Sequence, residues 1–243
     1  MRDWVCGFFM AWGMFLAIPC PRKIWSESAR QKMLVCMPLV GLLAGGVWAG
    51  AWLLLRGAPG PVRAAVCAAA PWLVTGFMHL DGYMDVCDAV LSRRDLATRQ
   101  RILKDSHCGA FAVICMVLLA MGQWSLFLAA EDVSWLGLLL IPAATRACAG
   151  LAVLGLRPMG TSQYAAMGPA RGGYGAALWV LLALSVGLPL WLDGSFGPLA
   201  AAVGYGLAVW YGFRNLDGMS GDISGFALTL GELCGCGAAI LWR

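Results

Sequence analysis

Charge is what this 243-residue chain has least of: Asp, Glu, Lys and Arg together fill 12% of positions, against 60% hydrophobic residues. An average soluble domain carries about 25% charged residues, so water could not wet a surface of this composition in the ordinary way. Mean hydropathy is +0.75. Sustained alternation of apolar and polar residues is also missing, which excludes a membrane β-barrel. The ten cysteines include no Cys-x-x-Cys pair, so a zinc site is not expected. Lying mostly within apolar runs, they read as small buried side chains. No internal repeat is visible, which speaks against the duplicated halves common in ion-coupled transporters.

What is present is a series of long apolar runs. An embedded segment is expected near 4–18, followed by spans near 34–55, 64–80, 110–130, 134–155, 175–192 and 197–213. A last stretch, 223–242, is interrupted by Glu232. The expected fold is all-α: a single-domain (1–243) polytopic transmembrane helical bundle of about six to seven spans. The Met1–Cys20 stretch resembles a signal peptide, but with Asp3 beside Arg2 and Pro19 before Cys20 it is expected to be part of the mature protein. Spaced glycines such as Gly41, Gly45, Gly46 and Gly50 suit close helix contact in lipid.

The few charges are unevenly distributed. Arg22, Lys23, Arg30 and Lys32, then Arg93, Arg94, Arg99, Arg101 and Lys104, then Arg157, Arg171 and Arg214 fall on one side when the spans alternate. Glu131, Asp132 and Asp193 fall on the other, with Arg56 and Arg63 as exceptions. The positive-inside rule puts the basic loops in the cytoplasm. The bilayer is thus the expected environment. A nucleic-acid partner is not expected, and the pattern is compatible with a homo-oligomer.

Three blocks on that side carry chemistry. In the first, Asp81, Asp85 and Asp88 are spaced i, i+4, i+7, within an arc of about 60° on a helix face at about 100° per residue. Such carboxylates repel one another unless a cation sits among them, and hard oxygen ligands suit Mg²⁺. The plainer alternative is a helix end whose acids are solvated or paired with the basic loop that follows. In the second block, Arg101, Lys104, Asp105 and Ser106 combine cations for phosphate oxygens with a further carboxylate. In the third, Gly218, Gly221 and Gly225 allow backbone approach to an anion, and Asp222 offers a metal ligand opposite the first block. Glu232, ten residues on in an apolar run, should face the protein interior, and Arg146 within a span reads equally as an ion-pair partner or a substrate contact.

Taken in order, these blocks resemble the cobalamin synthase (adenosylcobinamide-GDP ribazoletransferase) family of multi-spanning enzymes. The resemblance includes the opening Phe15-Leu-Ala-Ile-Pro19-Cys-Pro21-Arg22, then His79-Leu-Asp81-Gly82-x-x-Asp85-x-x-Asp88. It continues through Lys104-Asp105-Ser106 with Gly109, Gly218-x-x-Gly221-Asp222, and Gly231-Glu232. The chain departs from that pattern with Ala89 in place of Gly, His107 of Arg, Asp217 of Gly and Ser220 of Thr.

The resemblance implies joining of adenosylcobinamide-GDP to α-ribazole or its 5′-phosphate, with release of GMP and a requirement for Mg²⁺. It implies Asp81, Asp85, Asp88 and Asp222 as metal ligands, and Asp105, Lys104 and Arg101 at the reacting groups. His79, Gly82, Ser106, Arg171, Gly218 and Gly221 then form the substrate-binding set. Two rival readings are a phosphotransferase of the CDP-alcohol type, whose Ala-Arg pair between carboxylates is missing here, and an ion-coupled transporter.

Overall fold

The computed structural model describes residues 2–160, 162, 164 and 173–242. Its helices are α1 (Arg2–Phe15), α2 (Arg30–Leu54), α3 (Gly60–Val74), α4 (Met78–Leu91), α5 (Leu96–Ile102), α6 (Ala110–Ala129), α7 (Trp135–Gly155), α8 (Tyr174–Asp193), α9 (Gly197–Leu216) and α10 (Gly221–Leu241). A 3-10 turn, Glu27–Ala29, leads into α2. No named strand occurs among the described residues, and the all-α bundle is as expected.

Among the described residues, five helices are long and apolar enough to cross a membrane, and six spans result if α3 and α4 count as one, against the expected six to seven. Two expected apolar segments are not among them. The 14-residue α1 is too short to cross, in keeping with an embedded segment. The 20-residue α9 has the length, but its glycines, tyrosines and Arg214 leave it less apolar than the others. Burial sorts the five: α2, α7 and α10 are 67–72% buried along their apolar windows, whereas α6 and α8 are 22% and 17% buried. The first three therefore form the centre, and the other two offer apolar side chains around most of their circumference to lipid. The molecule is a multi-pass membrane protein.

Close packing at the centre depends on two of the four spaced glycines. A Cβ on Gly41 would collide with the backbone of Pro142 and Ala143, and one on Gly45 with the Leu139 carbonyl, so α2 and α7 touch backbone to backbone. Gly46 and Gly50 meet almost nothing and have no such role.

The expected span at 64–80 is broken. Its two parts, α3 and α4, meet at 91°. Gly76 (φ +59°) follows the last turn of α3, with its N–H donating to the Leu73 carbonyl at 3.1 Å and that of Phe77 to the Trp72 carbonyl at 2.9 Å. This is the Schellman closure that glycine favours at a helix end. The Thr75 hydroxyl donates to the Pro71 carbonyl at 2.9 Å, and Phe77 is also left-handed (φ 64°). Polar backbone is thus satisfied at the elbow without water, as burial in a membrane protein requires. The elbow sends α4 along α10 instead of continuing the line of α3.

The exceptions to the charge asymmetry have local partners. Arg56 pairs with Asp132 at 3.8 Å. Arg63 lies 4.7 Å from the Trp52 ring centroid and donates to the Ala130 carbonyl at 3.1 Å.

Candidate functional site

The three blocks meet at one end of the bundle. Along α4, a Cβ on Gly82 would stand 2.8 Å from the Asp222 carbonyl oxygen, and one on Gly225 would stand 3.0 Å from that of His79. Glycine at these two crossing points lets α4 and α10 run in backbone contact, which brings Asp222 beside the aspartate stripe. Asp85 is within electrostatic reach of Asp81, Asp222 and Asp88. Asp81 is exposed, and Asp85, Asp88 and Asp222 are half-buried.

Asp222 sits in the first turn of α10, whose N-cap is Ser220. The Ser220 hydroxyl accepts from the Ile223 N–H at 3.3 Å and points to an Asp222 carboxylate oxygen at 3.4 Å. Serine does the capping work of the threonine it replaces. The preceding turn is held by a short parallel bridge: Met159 N–H donates to the Met219 carbonyl, and Met219 N–H to the Arg157 carbonyl, both at 2.9 Å. Gly218 (φ +147°) is required there, since a Cβ would meet the Met159 backbone at 2.6 Å. Asp217 takes the left-handed C-cap position of α9, one that Asp tolerates better than most residues, and pairs with Arg157 at 2.5 Å. Its departure from the family's glycine is therefore accommodated.

The second block arrives through α5. Arg99 donates to the Asn215 side-chain oxygen at 2.9 Å and Gln100 to the Leu216 carbonyl at 2.8 Å, pinning residues 96–102 to the end of α9. Arg101, Lys104, Asp105 and Ser106 are exposed there. His107, in place of the family's arginine, engages Asp105 through its ring at 2.6 Å and its backbone N–H at 3.0 Å. Hydrogen bonding to His107 holds the Asp105 carboxyl below the usual carboxylate range. Asp105 is consequently a poor proton acceptor, though it can still orient a hydroxyl.

Asp88 has a second task. Its carboxylate accepts the backbone N–H groups of Gly109 and, at 3.0 Å, of Ala112, and so caps the N-terminus of α6. A Cβ at 109 would strike that carboxylate, which accounts for the glycine. Asp88→Ala should lower stability by about 0.5–2 kcal/mol through loss of the cap, and Asp88→Asn by less. Thermal melts in detergent measure this, and equal melting of the two variants would remove the capping role.

Several expected contacts prove to be packing. Gly82 and Gly218 are buried against backbone and present no surface to a substrate. His79 is 7% exposed, stacks on Phe15 at 6.4 Å, and has no partner for Nε2 among the described residues. It sits inside the bundle. Gly221 is exposed, with the Tyr164 hydroxyl 3.8 Å from where a Cβ would stand. Arg171 lies outside the described residues. Arg146 and Glu232 form a buried ion pair at 2.7 Å, with side chains 1% and 8% exposed, so Arg146 is a structural partner. Sequence reasoning missed Tyr164, which lies in a connecting segment without a pattern. It also missed the Ser220 cap, although a serine directly before an apolar run is a recognised start signal.

Among the described residues, no basic side chain pairs with Asp81, Asp85, Asp88 or Asp222. Nor do three or more His, Cys, Asp or Glu side chains form a ready cage for a metal ion. Mg²⁺ does not need one, because it usually takes one or two carboxylates and fills the remaining positions with waters and substrate phosphates. Carboxylates within electrostatic reach of one another and without a basic partner are hard-oxygen donors of the kind such an ion takes.

The fold and this end of the bundle define a multi-pass membrane protein with an acidic working face bordered by a cationic loop. The chain matches the family described as cobalamin-5-phosphate synthase over residues 7–240, and belongs to it. It is 32% identical to an adenosylcobinamide-GDP ribazoletransferase of Clostridium botulinum strain Alaska E43, covering 100% of both chains. The corresponding protein of Clostridium perfringens strain 13 is 33% identical over 93% of this chain and 94% of its own. That of Halalkalibacterium halodurans reaches 39% over 60% and 58%. No solved structure matches the chain.

Proposed function

We propose that this transferase joins adenosylcobinamide-GDP to α-ribazole or its 5′-phosphate, the last assembly step of the cobalamin nucleotide loop. A ribose hydroxyl of the acceptor forms a new bond to the cobinamide-proximal phosphorus. The bond from that phosphorus to the bridging oxygen breaks, GMP leaves with that oxygen, and the hydroxyl proton is released. The observation that carries this reading is the convergence of Asp81, Asp85, Asp88 and Asp222 without counter-cations beside the exposed Arg101–Ser106 loop.

Asp81, Asp85 and Asp222 are the residues to hold Mg²⁺, with Asp88 contributing the oxygen lone pairs its cap leaves free. Bound there, the ion would supply neutralisation of the diphosphate and of charge on departing GMP. Lys104 and Arg101, exposed in the neighbouring loop, are the cations to bind phosphate oxygens. Asp105, kept ionised by His107, accepts a hydrogen bond from the attacking hydroxyl and orients it. The working face is cytoplasmic, in a bacterial inner membrane, which the basic loops at that end support.

Purified protein in detergent, given adenosylcobinamide-GDP and α-ribazole 5′-phosphate, should release GMP when Mg²⁺ is present and none after chelation. Failure to release GMP under either condition would end the assignment. Release that persists after chelation would end the metal reading alone.

A further inference from the structure

The Phe15–Arg22 segment takes no part in the carboxylate face, yet it belongs to the resemblance. It walls a separate cavity of 580 Å³ between the end of α1 and residues 16–25. Phe9, Met14 and Ile18 give it an apolar wall, and the exposed Arg22, Lys23 and Trp25 line it as well. The loop is tethered by its own side chains. Trp12 donates its indole N–H to the Ile18 carbonyl at 3.0 Å, and the Cys20 thiol reaches the Arg22 carbonyl at 3.1 Å. Pro19 and Pro21 stiffen the backbone between them. Neither Arg22 nor Lys23 forms an ion pair among the described residues, and the Arg22 guanidinium lies 5.9 Å from the Phe9 ring.

An apolar, partly aromatic lining joined by two cations outside any ion pair suits a flat apolar ring that carries an anion. The volume lies within the range of about 300–1,000 Å³ usual for small-molecule sites. It suits a base, ribose and phosphate, and is far too small for a corrin with its nucleotide arm. The location agrees. Ala17, in the cavity wall, donates its N–H to the Val74 carbonyl at 2.9 Å at the elbow, and Phe15 stacks on His79, two residues before Asp81. The cavity wall is thus tied to the elbow from which α4, the helix carrying the aspartate stripe, begins.

We propose that this cavity is the acceptor subsite, taking the benzimidazole ring of α-ribazole 5′-phosphate inside and its phosphate on Arg22 and Lys23. This rests on the proposed reaction. A phospholipid headgroup shares the anionic chemistry, but the aromatic interior and the link to the elbow favour the nucleotide.

The test uses the full-length protein in nanodiscs of phosphatidylcholine, with and without phosphatidylglycerol. Arg22→Ala/Lys23→Ala should raise KM for α-ribazole 5′-phosphate by about tenfold or more, leaving KM for unphosphorylated α-ribazole and for adenosylcobinamide-GDP within about twofold. Gly13→Leu, whose Cβ meets only Cys20 at ordinary contact distance, should raise KM for both acceptor forms by filling the interior. Unchanged acceptor KM values in both variants overturn the subsite, as does an effect confined to the phosphatidylglycerol-containing discs. If wild-type protein releases no GMP, equilibrium dialysis of α-ribazole 5′-phosphate decides the subsite separately: binding weakened by both variants supports it, and absent or unweakened binding overturns it.

Discussion

Asp85→Asn is expected to lower Mg²⁺-dependent GMP release by about 10²–10³-fold, the range seen when one preorganised electrostatic group is removed from a transition state. Among the four aspartates, Asp85 is the best placed for so large an effect. It lies between Asp81 and Asp88 on α4 and also within reach of Asp222 across the helix contact, so it faces every other carboxylate of the site. It caps no helix and makes no ion pair among the described residues, so its amide should leave the fold intact. Single-turnover GMP release across a Mg²⁺ titration, with a thermal melt as control, separates lost chemistry from lost structure. Near-wild-type turnover at every Mg²⁺ concentration would exclude Asp85 from the metal site.

The second large effect concerns stability. Arg146 and Glu232 are buried together between α7 and α10, and Arg146 also donates to the Pro142 carbonyl at 3.1 Å. Removing one member leaves the other charged and desolvated, so Arg146→Met should destabilise by about 3–5 kcal/mol. At the scale of this chain that lowers the melting temperature by roughly 10 °C. Arg146→Met/Glu232→Leu should recover most of the loss, because a well-packed apolar pair avoids the burial of an isolated charge. Melts of both single variants and the double variant in one detergent give the coupling, and additive losses would show that the pair is not a unit.

The aspartate stripe was legible because helical periodicity alone determines which residues share a face. Asp81, Asp85 and Asp88 needed only the assumption of a helix across 78–91. The inward orientation of Glu232 was legible for a similar reason, since an acid within an apolar run has nowhere else to go at acceptable cost. The roles of glycine were not. Gly218 read as an opening for an anion, and the resemblance put Gly82 in the substrate-binding set. Each is instead filled by neighbouring backbone, Asp222 for one and Met159 for the other. Likewise, nothing local reveals that the Asp88 carboxylate caps a helix starting 22 residues later, or that His79 stacks on Phe15. Those are contacts between segments distant in the chain.

Composition by itself determined the environment: so few charges and such long apolar runs require lipid, and lipid requires closed helices. The order of the motif blocks determined the family, and spacing determined the acidic face. Only the tertiary structure decided how that face is completed. The elbow at Thr75–Phe77 turns a nominal span into two helices and lays α4 against α10. The glycine contact between them then sets Asp222 beside Asp85. Helical periodicity is local and follows from one residue's geometry repeated. The meeting of two helices depends on backbone closure at a single turn and on the absence of a few Cβ atoms, neither of which has a period to read.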